Sequence, residues 1–125
     1  MLDASAVLAL IYNEPGADEV MEYLDGSVIS SVNFSEVLQK AASAGHNIAD
    51  VATLLRQTVT GVVPLDDRLA VETAELWSST RTAGLSLADR ACLTLARAMS
   101  GVAITADRAW ADLQLPGIAV HVIER

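Results

Sequence analysis

The chain has 125 residues, sixteen Asp and Glu against eight Lys and Arg, and a formal net charge of −8. It is long enough for one domain with a real core, and at 52% hydrophobic residues it is too apolar for a disordered chain. The acidic balance argues against a nucleic-acid binder that works through a broad basic footprint; no apolar run has the length of a membrane span, no signal-peptide pattern opens the chain, and the single cysteine, Cys92, allows no intrachain disulfide, so a cytoplasmic protein is expected.

In chain order, Ala4, Val7, Leu8 and Ile11 form one helical stripe, which Pro15-Gly16 interrupts. Ala17, Val20, Met21 and Leu24 form a second. The run Ser27-Val28-Ile29-Ser30 reads as a strand. Phe34, Val37, Leu38 and Ala41 make a third stripe that ends near Gly45. Asn47 opens a fourth helix with Ile48, Val51, Ala52 and Leu55 inward. Gly61 to Leu65 is a β-branched run and reads as a strand. Asp66 or Asp67 then caps a helix with Leu69, Ala70, Thr73, Ala74 and Trp77 on one side, and Gly84 stops it. From Ser86 to about Ser100 the spacing predicts a helix with Ala88, Ala91, Cys92, Leu95, Ala98 and Met99 inward and Arg90, Thr94 and Arg97 outward. Val102-Ala103-Ile104 and Ile118 to Ile123 read as strands, with a brief helical turn through Trp110 between them. Short strands that are apolar throughout, separated by helices, predict an α/β fold with a parallel sheet.

Four acids stand at or just after predicted helix starts: Asp3, Glu36, Asp89 and Asp107. Each has an ordinary explanation as a cap. Asp3 and Asp107 fit N-cap positions, and Asn33-x-x-Glu36 and Ser86-x-x-Asp89 both match the capping box. Their joint placement points elsewhere. In a parallel sheet the carboxyl ends of the strands share one edge, and ligands bind there. Acids gathered on that edge resist full ionisation unless a cation offsets them. Asp18, Glu19, Glu22, Glu72 and Glu75, by contrast, lie on outward helix faces. Hydroxyl and amide side chains accompany the four: Ser5, Ser30, Ser31, Asn33, Ser35, Ser86 and Thr105. With two separated histidines, His46 and His121, and one inward cysteine, a zinc site is not expected. Arg90 and Arg108, each next to one of the acids, read equally as phosphate contacts or as helix-surface charge. Trp77 and Trp110 read as core or as subunit contacts.

The segments Met1 to Ala6, Asn33 to Val37, Gly84 to Leu93 and Thr105 to Trp110 resemble, in order, the motifs of PIN-domain ribonucleases, and among these the VapC toxins of type II toxin–antitoxin operons. The resemblance implies a single PIN domain over residues 1–125 with a five-stranded parallel sheet flanked by helices on both faces. It implies endonucleolytic cleavage of RNA dependent on Mg²⁺ or Mn²⁺. Carried over, Asp3 and Asp89 match the principal metal-binding acids, and Glu36 and Asp107 complete a catalytic quartet. Asp3, Asp89 and Asp107 are expected to hold the metal, and Glu36 to hold a second ion or orient the attacking water. Thr105 matches a hydroxyl that supports the last acid, and Ser5 is a candidate for the same role. A homodimer and a cognate VapB-type antitoxin are implied as well. Only Met1 and Leu2 precede Asp3, where the family's first strand is usually longer.

Three other readings compare as follows. A haloacid-dehalogenase-type phosphatase needs an acid where Ser5 stands, and a receiver domain needs a late Lys where the chain has only Lys40. The stronger alternative is a PIN-fold interaction module with weak or lost catalysis.

Overall fold

A computed structural model describes residues 1–124. In chain order it contains α1 (Ala4–Ile11), α2 (Ala17–Glu22), β1 (Val28–Ser30), α3 (Ser31–Ser43), α4 (Ile48–Thr58), β2 (Gly61–Val63), α5 (Asp67–Glu75), α6 (Trp77–Thr80), α7 (Leu87–Ala98), β3 (Val102–Thr105) and β4 (Ala119–Val122), with 3-10 turns at Arg81–Ala83 and Arg108–Asp112.

All pairing is parallel. β1 and β2 pair from Val28–Gly61 to Ser30–Val63, and β3 and β4 from Val102–Ala119 to Thr105–Val122. Met1-Leu2-Asp3 lies between these two pairs. Leu2 makes a parallel bridge to Ile104. The Leu2 N–H donates to the Val28 carbonyl at 3.0 Å, the Asp3 N–H to the Ile104 carbonyl at 2.9 Å, and the Ile104 N–H to the Met1 carbonyl at 2.7 Å. The assigned pairing is thus two two-stranded sheets flanking a segment with one bridging residue, which is α/β and parallel as expected without establishing a single five-stranded sheet. Among the described residues, Leu2–Ile104 is the one bridge this segment makes.

The core divides about the sheets. Ile29, Ile104 and Leu2 belong to a cluster with α1, Val20, Val37 and Leu55. Ala103, the neighbour of Ile104 in β3, belongs to a second cluster with Cys92, Leu93, Ala96 and Trp110. Successive strand residues face opposite ways, so apolar side chains cover both faces of β3. Trp110 is thereby a core residue, 1% exposed.

Several helix faces differ from their predicted stripes. α5 ends at Glu75 and α6 restarts at Trp77, yet the buried positions keep one helical stripe: Leu69, Thr73, Leu76 and Thr80 are buried, while Ala70, Ala74 and Trp77, to one side of that stripe, are exposed. In α7, Thr94 is buried, not outward. α5 packs on that side, and the Thr94 hydroxyl meets the Thr73 hydroxyl at 2.8 Å. Ala98 and Met99, expected inward, are exposed at the end of that helix. Met21 and Ile48 are also exposed; Ile48 starts α4 directly after the exposed stretch Gly45-His46-Asn47.

Candidate active site

Because the chain segments run parallel, Asp3, Ser30 and Thr105 all stand at carboxyl ends, and the helices that follow begin there. α3 starts directly after β1, and α7 packs against α3, β1 and β3. This brings the beginnings of α1, α3 and α7 to one edge.

Asp3 is the centre of the arrangement. It is the N-cap residue of α1, yet its carboxylate makes no capping bond. The carboxylate is instead held by side chains of α1, α3 and β3. The Ser5 hydroxyl donates to Oδ2 at 2.7 Å and the Thr105 hydroxyl to the same oxygen at 2.9 Å. The Asn33 amide donates to Oδ1 at 3.4 Å. Asp3 is 2% exposed. Burial raises its pKa from the ordinary 3.8 to about 6; the two hydroxyl bonds oppose the rise, and the nearby charges of Asp89 and Glu36 add to it. Those charges act on Asp3 although the three acids are distant in sequence.

The hydroxyls also tie this carboxylate to the last acid. The Thr105 Oγ1 accepts from the Asp107 N–H at 3.0 Å, and the Ser5 Oγ accepts from the Ala106 N–H at 2.9 Å. The two hydroxyl oxygens lie 3.1 Å apart. Ser5 and Thr105 thus bridge Asp3 to the turn that carries Asp107.

The capping explanation separates the four acids. Asp89 and Ser86 form a true capping box: the Ser86 N–H donates to Asp89 Oδ2 at 2.9 Å, and the Asp89 N–H to Ser86 Oγ at 3.1 Å. Asp107 is exposed and its Oδ1 accepts from the Ala109 N–H at 3.0 Å. Glu36 is not part of a cap. Ser30 caps α3, which places both Asn33 and Glu36 inside the helix and overturns the predicted Asn33–Glu36 box. The Glu36 Oε1 lies 3.4 Å from the Lys40 ammonium, while its Oε2 is buried without a hydrogen-bond partner.

Asn33 carries more of the site than its sequence position suggested. It is fully buried, and its amide also donates to the Ala88 carbonyl at 3.1 Å, one residue before Asp89. It joins Asp3 to the start of α7. The only sequence signal was an amide one helical turn before an acid. Arg90, one of two arginines beside the acids, points its guanidinium inward to the Thr73 carbonyl at 3.0 Å.

Among the described residues, no three Asp, Glu, His or Cys side chains stand close enough to enclose a metal. The chemistry of the donors nevertheless suits a hard divalent cation. They are carboxylate oxygens, one of them on a buried acid whose charged form is disfavoured and one on a buried atom without a partner.

The model of the PIN domain family matches residues 1–115. No curated protein sequence matches the chain. Solved structures of similar fold include the Rickettsia felis VapBC2 complex bound to a DNA fragment from its promoter, at TM-score 0.74 and 14% identity, covering 99% of this chain and 98% of that one. A toxin–antitoxin complex from Klebsiella pneumoniae aligns at TM-score 0.73 and 20% identity, covering 98% of each chain. DNA-bound VapBC from Salmonella typhimurium aligns at TM-score 0.73 and 19% identity, covering 98% of this chain and 96% of that one. At these identities the likeness is one of fold.

Proposed function

The chain belongs to the PIN domain family, and on that premise we propose that it is a divalent-metal-dependent endoribonuclease, the toxin of a VapBC-type toxin–antitoxin pair. The observation that carries this reading is the buried Asp3 carboxylate, raised in pKa and acted on by the charges of Asp89 and Glu36. A fold whose only need was helix capping gains nothing from burying that acid where it caps nothing.

In this reading Asp3, Asp89 and Asp107 hold Mg²⁺ or Mn²⁺. Such an ion, when bound, offsets the carboxylate charge and stabilises negative charge on the phosphoryl oxygens and the leaving group. The chain's own side chains do the rest. Ser5, Thr105 and Asn33 fix the Asp3 carboxylate in one orientation. Thr105 positions the Asp107 backbone. Glu36 either holds a second ion or accepts a hydrogen bond from the attacking water at Oε2, the atom left without a protein partner. The fold likeness to VapBC complexes supports a VapB-type antitoxin as the neutralising partner; in this reading the toxin is a homodimer that works in the cytoplasm.

The test is cleavage of total RNA by purified wild type and Asp89→Asn, with Mg²⁺ and with chelator, followed by mapping of the new RNA ends. The expected result is discrete Mg²⁺-dependent ends with wild type and a loss of on the order of 100-fold or more with the variant. Equal cleavage by the two proteins would sink the nuclease reading and leave an interaction module. Co-expression with the small protein encoded beside this gene is expected to restore growth that wild type alone arrests.

A further inference from the structure

A chain with net charge −8 that acts on a polyanion must place its few cations well. Most of its cations are already committed. Lys40 faces Glu36, and Arg68 pairs with Glu72. Arg56 lies over Phe34 and Arg81 over Trp77, with 5.4 and 5.3 Å to the ring centroids. Arg90 donates inward to the Thr73 carbonyl. Arg97 lines clefts beside Gly117 and Pro116, away from the acids.

Arg108 differs from all of these. Among the described residues it makes no ion pair, ring contact or side-chain hydrogen bond. It is exposed and lines an open cavity of about 740 Å³ together with Ser5, Glu14, Pro15, Ala106 and Asp107. Ser5 is the residue whose hydroxyl holds Asp3. The cavity therefore opens directly beside the buried acid, and its cation is one residue from Asp107. The local fold fixes this placement: Asp107 caps the 3-10 turn that Arg108 begins, and the Thr105 hydroxyl holds the Asp107 backbone.

We propose that Arg108 is a substrate-binding residue, whose guanidinium takes a phosphate of the RNA backbone next to the one cleaved at Asp3 and that this cavity is the path of the RNA strand away from the acids. The inference rests on the nuclease reading of the site. It sorts the two arginines beside the acids, giving Arg108 to substrate and Arg90 to the packing of α7 on α5. A planar guanidinium suits phosphate through paired N–H donors, which an ammonium supplies less well.

The experiment compares Arg108→Gln, Arg108→Lys and Arg97→Gln, each in wild type for kinetics and in an Asp89→Asn background for binding. Binding to fluorescent polyuridylate is titrated over a range of salt. Arg108→Gln is expected to weaken binding roughly three- to tenfold and to lower the slope of log affinity against log salt by about 0.7, the loss of one single-strand phosphate contact. KM for RNA should rise by a similar factor with kcat nearly unchanged, Arg108→Lys should recover part of both, and Arg97→Gln should match its parent. Unchanged binding, slope and KM in Arg108→Gln would overturn the proposal and leave Arg108 to a protein partner. If wild type neither binds polyuridylate nor cleaves total RNA, the nuclease reading fails first and takes this inference with it.

Discussion

Asp3 places a buried carboxylate where its charge opposes folding, a cost that can be measured at a single side chain. Its pKa is raised from 3.8 to about 6 by burial and by neighbouring carboxylate charge. The folded state therefore binds the Asp3 proton more tightly than the unfolded chain does. Below the ordinary value both states are protonated and no penalty exists. As pH rises from about 4 to about 6 the penalty grows, reaching on the order of 3 kcal/mol at neutral pH. In metal-free protein, Asp3→Asn should remove this penalty while keeping the side-chain volume. The expected gain near neutral pH is about 1–2 kcal/mol, less than the full penalty because one amide hydrogen must find an acceptor among the Ser5 and Thr105 hydroxyls. Urea denaturation in chelator at several pH values checks it. The difference between variant and wild type should vanish as pH falls below the carboxylate range, and Mg²⁺ should stabilise wild type alone. A variant no more stable than wild type at neutral pH would mean that the buried charge is not a cost.

Among the elements, α7 carries the firmest local signal and, in the proposed function, one of the metal-holding acids. Ser86-x-x-Asp89 announced the capping box, and the box is formed with both bonds in place. Asp89 is thus held at the mouth of the site by the helix start itself. Ser86→Ala should cost about 1 kcal/mol of stability through the lost cap. It should also raise the Mg²⁺ concentration needed for half-maximal cleavage, because the Asp89 backbone loses its bond to the Ser86 hydroxyl and the helix start that positions the carboxylate loosens. Thermal melts together with an Mg²⁺ titration separate the two effects; a stability loss with no change in Mg²⁺ dependence would confine Ser86 to capping. What local pattern did not reveal has a common cause. Caps, strand runs and glycine stops depend on neighbours in sequence, and Asn47, Asp66, Ser86 and Gly84 act where their local context placed them. Exposure depends on what packs against a helix from elsewhere. Thr94 read as outward by type and spacing, but α5 covers it; Trp77 read as inward, but the buried stripe runs through Leu69, Thr73, Leu76 and Thr80 and leaves it exposed. The same limit applies to the site. Asp3, Asp89 and Asp107 stand at helix starts as their local context indicated, Glu36 lies a turn inside α3, and the Asn33 link from Asp3 to Ala88 joins three separate elements and has no local signature.

For the whole molecule the critical join is the short segment ahead of α1. The β1–β2 and β3–β4 pairs are separate sheets, and Met1-Leu2-Asp3 connects them by backbone bonds to Val28 on one side and Ile104 on the other. Leu2 is 1% exposed and belongs to the cluster that contains Ile29, Ile104 and Val7. One side chain therefore supports both pairs and is covalently next to Asp3. Leu2→Ala should cost about 2–5 kcal/mol, the range for a large-to-small change in a packed core. The loss should not be confined to stability. With the bridge to Ile104 loosened, Asp3 should no longer be held in register with Thr105, whose hydroxyl reaches it across the same pair of segments. Leu2→Met keeps most of the volume and should cost less than about 1.5 kcal/mol. Hydrogen exchange locates the effect: in Leu2→Ala the amides of Asp3 and Ile104, which donate across this join, should lose protection before those within β1–β2 or β3–β4. Uniform loss of protection throughout the protein would mean that the two sheet pairs unfold as one unit. Selective loss at the join, with the proposed RNA cleavage falling further than stability predicts, would identify the Met1–Asp3 segment as the strut that places the proposed active-site edge.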